Sequence, residues 1–299
     1  MIRILAVTAA GLLAAPSITL AQDWRDEYSS ITFGAAVGEN AQDAASRWAP
    51  FGEYLAECMG IDDVVVRVAN DYSALIESMA QGDLHLLWVS PVGYSILHDI
   101  TDGDVDPVAV EFTRDGNMGY YWTVVVRADS DYQSIEDLEG ATIGMASPTS
   151  TTGYVLPMQY FRDKGYVDES DNPTFFSGIV HTGSHDNGIM SVVQGNIDAS
   201  TSWYYSPEEG NHSRMVGNGL IEEDDIRFIY ESAIVPNSPF VAPKSLPEDM
   251  RFQMSACFVN MHFTAPEAFE SVTDGVFGGF GLVSADVYQP FIDIRQAEK

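Results

Sequence analysis

Two distant stretches, MAQGDLHLLW (Met79–Trp88) and VVQGNIDAS (Val192–Ser200), share one pattern: an apolar helix end, Gln, Gly, a polar turn residue and entry into a strand. Glycine directly after the last apolar position of a helical pattern is a stop signal. Ahead of the first stretch, Ser30 to Val37 (SITFGAAV) and Asp63 to Ala69 (DVVVRVA) read as strands. Between them Trp48, Phe51, Leu55 and Cys58 recur at helical spacing, and Asp71 caps a helix carrying Leu75 and Met79. Ahead of the second, TIGMAS (Thr142–Ser147) reads as a strand. Helices follow from about Gly153 to Lys164 and from His185 to Gln194, then a strand from Ile197 to Trp203. Alternating strand and helix predicts parallel sheets with covering helices. The repetition predicts two α/β lobes rather than one long sheet.

Extended, Pro-bearing or β-branched segments mark where the chain passes between lobes. Thr123–Arg127 (TVVVR) is the expected outward crossing and Ile234–Val241 (IVPNSPFV) the expected return, with a helix-rich region from Leu246 completing the first lobe. The expected division is 1–21 as leader, 22–125 with 240–299 as lobe 1, and 126–239 as lobe 2. Two lobes joined by two strands leave a cleft that closes on a ligand by hinge motion.

The compartment follows from the leader. Arg3 precedes an apolar run from Ile4 to Ala15, and SITLA places small residues three and one before a cut after Ala21. No later run reaches the roughly 20 apolar residues of a membrane helix, and no Cys follows the leader for a lipid anchor. A soluble protein exported to a Gram-negative periplasm is expected. The chain carries 44 acidic against 14 basic residues, a formal charge of −30. Such a surface argues against nucleic acid and anionic membrane as partners. Cys58 and Cys257 are the only cysteines. They are either bridged, as an oxidising compartment permits, or separate core residues, and the sequence leaves both open.

Little in the chain supports catalysis. No G-x-S-x-G nucleophile elbow occurs, and Ser150, His185 and Asp186 make a poor triad because adjacent His and Asp point apart on a helix. His181 and His185 have i, i+4 spacing but Gly183 lies between them and no further ligand pattern accompanies them. GVFGGFG near the C-terminus lacks the G-x-G-x-x-G order of a dinucleotide turn. Neither a catalytic residue, a metal nor a cofactor is expected.

ASPTSTTGYVLP (Ala146–Pro157) is different. After the turn Pro148-Thr149, three hydroxyls, Ser150, Thr151 and Thr152, occupy the cap and first turn of a helix. One hydroxyl suffices for a cap. Three suit an oxyanion, because helix N-termini carry unpartnered N–H groups and the positive end of the dipole. Neutral donors of this kind bind an anion without a cationic side chain, which reconciles an anionic ligand with an acidic exterior.

These residues resemble the phosphonate and phosphite solute-binding proteins of ABC importers. The resemblance is carried by SPTSTTGYVLP, GSHDNGIMSVVQGNID, VANDYSALIESMAQGDLHLLWVSP, GYYWTVVVR and IVPNSPFVAPKSLP, over most of residues 30 to 250. It implies an α/β, two-lobed, type II-like periplasmic binding protein with two crossover strands and an interlobe ligand cleft. It also implies a monomer that delivers a small phosphorus oxyanion to an inner-membrane ABC permease with its ATPase. By the same resemblance Ser150, Thr151, Thr152 and His185 meet the phosphonate oxygens from one lobe. Tyr72 and Tyr121 add aromatic hydroxyls from the other, with Tyr120 as the alternative to Tyr121. Where relatives that bind aminoalkylphosphonates carry carboxylates for the amine, this chain has Tyr205 and Ser238. Trp203, Tyr204 and Tyr205 then favour a small or uncharged substituent, as in phosphite or methylphosphonate, with at least one of the three turned into the lobe core. The alternatives are a methylated-ammonium alkylphosphonate or 2-aminoethylphosphonate, another anion such as a sulfonate or carboxylate, and, in another class, a pyrimidine-synthase-like enzyme on the same fold.

Overall fold

A computed structural model describes residues 23–36, 41–69, 72–273 and 275–297. The expected leader and the expected cap Asp71 lie outside the described residues. The first half of the chain forms β1 (Ser30–Ala36), α1 (Ala41–Met59), β2 (Asp63–Ala69), α2 (Tyr72–Ala80), β3 (Leu86–Trp88), α3 (Pro91–Ile100) and β4 (Asp106–Thr113). Next come β5 (Gly119–Arg127), β6 (Thr142–Met145), α4 (Leu156–Lys164), β7 (Gly178–His181), α5 (His185–Val193), β8 (Ala199–Ser206), β9 (Glu209–Gly210), α6 (Asn211–Gly217), β10 (Ile226–Glu231) and β11 (Val235–Pro236). The chain ends with β12 (Pro239–Ala242), α7 (Glu248–Thr264), α8 (Pro266–Thr273), β13 (Phe277–Gly281) and α9 (Gln289–Ala297).

These strands form two sheets, each the centre of one lobe. One has the order β13-β4-β12-β3-β1-β2; the other runs β10-β5-β8-β6-β7, with β11 on β5 and β9 on β8. Neither is wholly parallel, a correction to the expectation from strand–helix alternation. β2-β1-β3 pair in parallel, but β12 enters antiparallel between β3 and β4, because it returns from the other lobe rather than from a covering helix.

The expected outward crossing is also corrected. Thr123–Arg127 is no crossover: β5 pairs along this length with β8 on one side and β10 on the other. Its β-branched run is apolar because it is a central strand, with Val124 and Val126 facing one core and Val125 the other. Sheet membership changes over 114–118 on the way out and over 237–238 on the way back, within the expected return segment. The expected lobe limit at 125/126 therefore falls inside a strand of the second sheet, while that at 239/240 falls at the start of β12.

Each sheet is covered on both faces. In the first lobe Phe33, Trp48, Phe51, Phe240 and Phe258 pack beneath α1 and α7, while Leu75, Leu87, Tyr94, Leu97 and Ile292 pack beneath α2, α3 and α9. Cys58 and Cys257 are bonded, with Cα atoms 5.9 Å apart, and join α1 to α7 over this core. Closing a loop of 199 residues stabilises the fold by roughly 5 kcal/mol on a chain-entropy basis. GVFGGFG becomes the edge strand β13, where a side chain at Gly279 would come within 2.7 Å of the Phe112 ring.

Candidate functional site

The cleft wall of the second lobe is made by two helix starts. The chain leaves β6, turns at 147–149, and enters a π-turn over Thr151–Val155 that continues as α4. The π geometry has a local cause. Pro157 has no N–H to give the carbonyl four residues back, so the Gly153 carbonyl is free. It accepts instead from Ala146 N (3.0 Å) and Thr201 Oγ1 (2.7 Å), which fastens the turn to β6 and β8. Gly153 must be glycine: a Cβ there would lie 2.5 Å from Ala146 Cβ and 2.8 Å from His185 Cε1. Single π-turns of this kind recur at functional sites.

Ser150 caps the turn by accepting from Gly153 N at 3.1 Å, and Ser150, Thr151 and Thr152 are all buried. His185 stands at the first position of α5, capped by Ser184, with Nε2 3.3 Å from Ser150 Oγ. Burial lowers its pKa from 6.5 to about 4, so the imidazole is neutral at pH 7 and offers one N–H rather than a charge. Its other face meets the backbone of Thr201, while Asp186 pairs with Arg214 of α6 at 2.9 Å. Among the described residues no carboxylate is recorded against the ring, so Ser150 and His185 there lack the third member of a triad, and the lowered pKa leaves the imidazole a weak base. His181 is exposed and packs on Tyr154, away from buried His185. Among the described residues no group of three or more His, Cys, Asp or Glu is placed to hold a metal ion.

The two lobes meet across this wall. Val92 N at the start of α3 donates to Thr151 Oγ1 at 3.0 Å, and Ser90 Oγ lies 3.4 Å from the Thr149 carbonyl. A cavity of about 550 Å³ opens between them, bordered by Tyr72, Ser90, Tyr120, Ser150, Thr151, Thr152, His185, Trp203, Tyr205 and Ser238, with Trp88 and Glu111. Of the residues named from the sequence, Tyr72, Ser150, Thr151, Thr152, His185, Trp203, Tyr205 and Ser238 therefore come together.

Two do not, and strand register gives the reason. Tyr121 lies opposite Tyr204 and Trp122 opposite Trp203. Because side chains alternate along a strand, Tyr120, Trp203 and Tyr205 share one face and Tyr121 and Tyr204 the other. Tyr204 is buried against Phe228 and bonds Glu231 through its hydroxyl at 2.7 Å; Tyr121 packs on it with ring centroids 6.1 Å apart. Tyr121 and Tyr204 are thus corrected out of the cleft, and Tyr120 replaces Tyr121. The Tyr120 hydroxyl is in hydrogen-bond reach of Thr152, Ser238 and Thr151, and burial, followed by the neighbouring Tyr72, raises its pKa far above the ordinary phenol value. It is a donor at any physiological pH.

Sequence reasoning missed Ser90, Trp88 and Glu111. A signal existed for Ser90: Ser90-Pro91 opens α3 at the end of a strand as Ser147-Pro148 follows β6. None existed for Glu111, one acid among many, which is only 2% exposed.

Taken as a whole, the cleft between the lobes joins a wall of buried hydroxyls and a neutral imidazole to an aromatic flank, and Arg47, Arg214, Glu111, Glu208 and Glu209 also border it. The family model for "ABC transporter, phosphonate, periplasmic substrate-binding protein" matches residues 33–288. The phosphonates-binding periplasmic protein of Escherichia coli K12 is 24% identical over 246 residues, covering 81% of this chain and 69% of the relative. Among solved structures, a binding protein component of a Pseudomonas aeruginosa ABC phosphonate transporter superposes with a TM-score of 0.76 at 23% identity, covering 90% and 85% of the two chains. PhnD1 from Prochlorococcus marinus in complex with methylphosphonate gives 0.75 at 17% identity, covering 91% and 99%. At these identities the structures establish the two-lobed fold. The curated relatives are named as binding and import proteins, not as enzymes. The chain belongs to the family of periplasmic phosphonate substrate-binding proteins of ABC transporters.

Proposed function

We propose that this protein captures a phosphonate or phosphite-type phosphorus oxyanion in the periplasm, after removal of its leader, and hands it as a monomer to an inner-membrane ABC permease and ATPase. The observation carrying this reading is the buried hydroxyl run Ser150–Thr152 beside neutral His185, faced by Tyr120 and Ser238. Donors at two helix starts suit three oxygens on one phosphorus, since hydrogen bonds to a charged acceptor are the strong ones. Contacts from both lobes to one ligand favour closure of the cleft around it.

Calorimetry with phosphite, methylphosphonate and phosphate tests the reading. Binding of at least one phosphonate or phosphite, weakened at least tenfold by Thr152→Ala, is the expected result; absence of binding by all three and by aminoalkylphosphonates removes it. The narrow version, a small substituent only, rests on Trp203 and Tyr205 closing on the phosphorus. A second reading, with a larger substituent, is favoured by the cavity of about 550 Å³, far more than a methyl group fills.

A further inference from the structure

The first-lobe wall holds a buried acid that the oxyanion cradle does not use. Val110 of β4 pairs with Pro239 of β12, which sets Glu111 beside Ser238, one strand or about 4.8 Å beyond the last hydroxyl that reaches Tyr120. Glu111 borders the cavity while its residue is 2% exposed. Burial raises its pKa from 4.5 to about 8, against the pull of Arg47 and the Trp88 indole, so it keeps its proton at pH 7. The indole comes near without completing a hydrogen bond, since Trp88 Nε1 has no partner among the described residues. A protonated carboxyl carries one O–H donor. At a cavity wall that donor is met by an acceptor on whatever enters the cavity.

Arg47 indicates the charge of that acceptor. It is half-buried on α1, borders the same cavity and lies close enough to Glu111 to pull its pKa down. The Arg47 carbonyl accepts from Ser271 Oγ of α8 at 2.7 Å, which holds this turn of α1 in place. A guanidinium beside an O–H donor suits a carboxylate, because hydrogen bonds to a charged group are the strong ones. An ammonium in that place would meet a guanidinium and a neutral acid. Arg214, on the other lobe, is engaged by Asp186 and Asn211, while Glu208 and Glu209 stand exposed at the rim, where salt screens them. We propose that Arg47 and Glu111 form a second anion-binding pole of the cleft, which takes a carboxylate at the far end of the phosphonate's substituent. The ligand class is then a carboxyalkylphosphonate. This rests on the phosphonate-binding reading above and names the substrate class of that same site.

The pole carries its own pH dependence. Ionised, Glu111 sets one carboxylate against another, so the preference for a carboxylate ligand is present at pH 7 and is lost as pH rises through about 8. The other titratable groups near it are Tyr288, ahead of α9, and Tyr120 of β5, which neighbours Tyr72 of α2. Burial raises all three above the ordinary phenol value, so they stay neutral across that range. His185, across the cleft, is neutral there too.

Calorimetry at pH 7 and pH 9.5 with 3-phosphonopropionate, propylphosphonate and 2-aminoethylphosphonate tests this. The wild type should bind the carboxylate ligand at least about tenfold more tightly than propylphosphonate at pH 7 and lose most of that ratio at pH 9.5. The ratio cancels titration of the phosphonate group, which both ligands share. Glu111→Gln keeps a neutral donor and should hold the ratio at both pH values, whereas Glu111→Leu should lose it at both. Equal affinity for the two ligands in the wild type at pH 7, a ratio that does not fall with pH, or an unchanged ratio in E111L overturns the proposal. So does tightest binding of 2-aminoethylphosphonate. If propylphosphonate binds and the carboxylate adds nothing, only this inference fails; if none of the three binds, nor phosphite, the function reading fails with it. The pH profile is read on the wild type, so the test survives a variant that does not fold.

Discussion

The two walls of the cleft are built in opposite ways. The second-lobe wall draws most of its donors from one contiguous run, Ser150–Thr152, and one residue at a neighbouring helix start, His185, placed by local rules of capping, turn and dipole, and only Tyr120 of β5 is added by strand register. The first-lobe wall collects Tyr72 of α2, Trp88 of β3, Ser90 at the cap of α3, Glu111 of β4 and Ser238 just before β12, and the order β4-β12-β3 sets most of them side by side. The difference teaches that a wall of hydroxyls can be local, because capping and turn geometry within a few residues place it. Recognition of whatever hangs from the anion needs side chains that only a sheet assembles. The first lobe also carries the covalent staple, whereas no disulfide occurs in the second lobe among the described residues.

That asymmetry yields the largest expected effect. Replacing both Cys58 and Cys257 with Ala should lower stability by roughly 5 kcal/mol and do so through the first lobe, leaving the second as the more resistant unit. Denaturant unfolding followed by hydrogen exchange of α1 and α7 against α4 and α5 reads this out; uniform loss in both lobes would erase the contrast.

The walls should also titrate in opposite senses. His185 has a pKa near 4 in the fold against 6.5 unfolded, so its contribution to stability is full above pH 6.5 and is lost as pH falls toward 4. Glu111 has about 8 against 4.5, so its contribution is full below pH 4.5 and is lost as pH rises toward 8. Urea midpoints across pH should show His185→Asn flattening the acid limb and E111Q flattening the alkaline limb. Curves parallel to wild type in either variant would contradict the assignment for that wall.

Gly153→Ala probes the local wall on its own. A methyl 2.5 Å from Ala146 Cβ and against His185 overpacks the turn and should destabilise by about 1 to 3 kcal/mol, with phosphonate affinity falling alongside. A stable variant with full affinity would mean that the turn yields without moving its hydroxyls.

The smallest effect is the most discriminating. Tyr120→Phe removes one donor to the cleft and should weaken oxyanion binding by about 1 kcal/mol, while Tyr121→Phe should leave it within about 0.5 kcal/mol. Calorimetry of the pair decides between adjacent tyrosines, and a reversed order would overturn the register argument.

How much was legible follows the same line. The repeated helix–Gln–Gly–strand pattern announced two lobes, and the hydroxyl run announced the cradle, because both rest on interactions within a few residues. TVVVR was misread as a crossover since a β-branched run looks alike whether it links sheets or lies at the centre of one; its partners β8 and β10 are far away in sequence. Adjacent tyrosines 120 and 121 were separable only once β8 set their register, and Trp203 and Tyr204 parted for the same reason.

The sequence by itself determined the α/β lobes, the capped helix start and the run of three hydroxyls at it. These are consequences of backbone geometry and hydrogen bonding along a short stretch of chain. Only the tertiary structure decided that Cys58 meets Cys257, that Tyr120 rather than Tyr121 enters the cleft, and that Glu111, one of 44 acidic residues, is buried among rings at its edge. Those outcomes depend on which strands lie side by side, and burial then changes the chemistry of a group whose sequence neighbours give no sign of it.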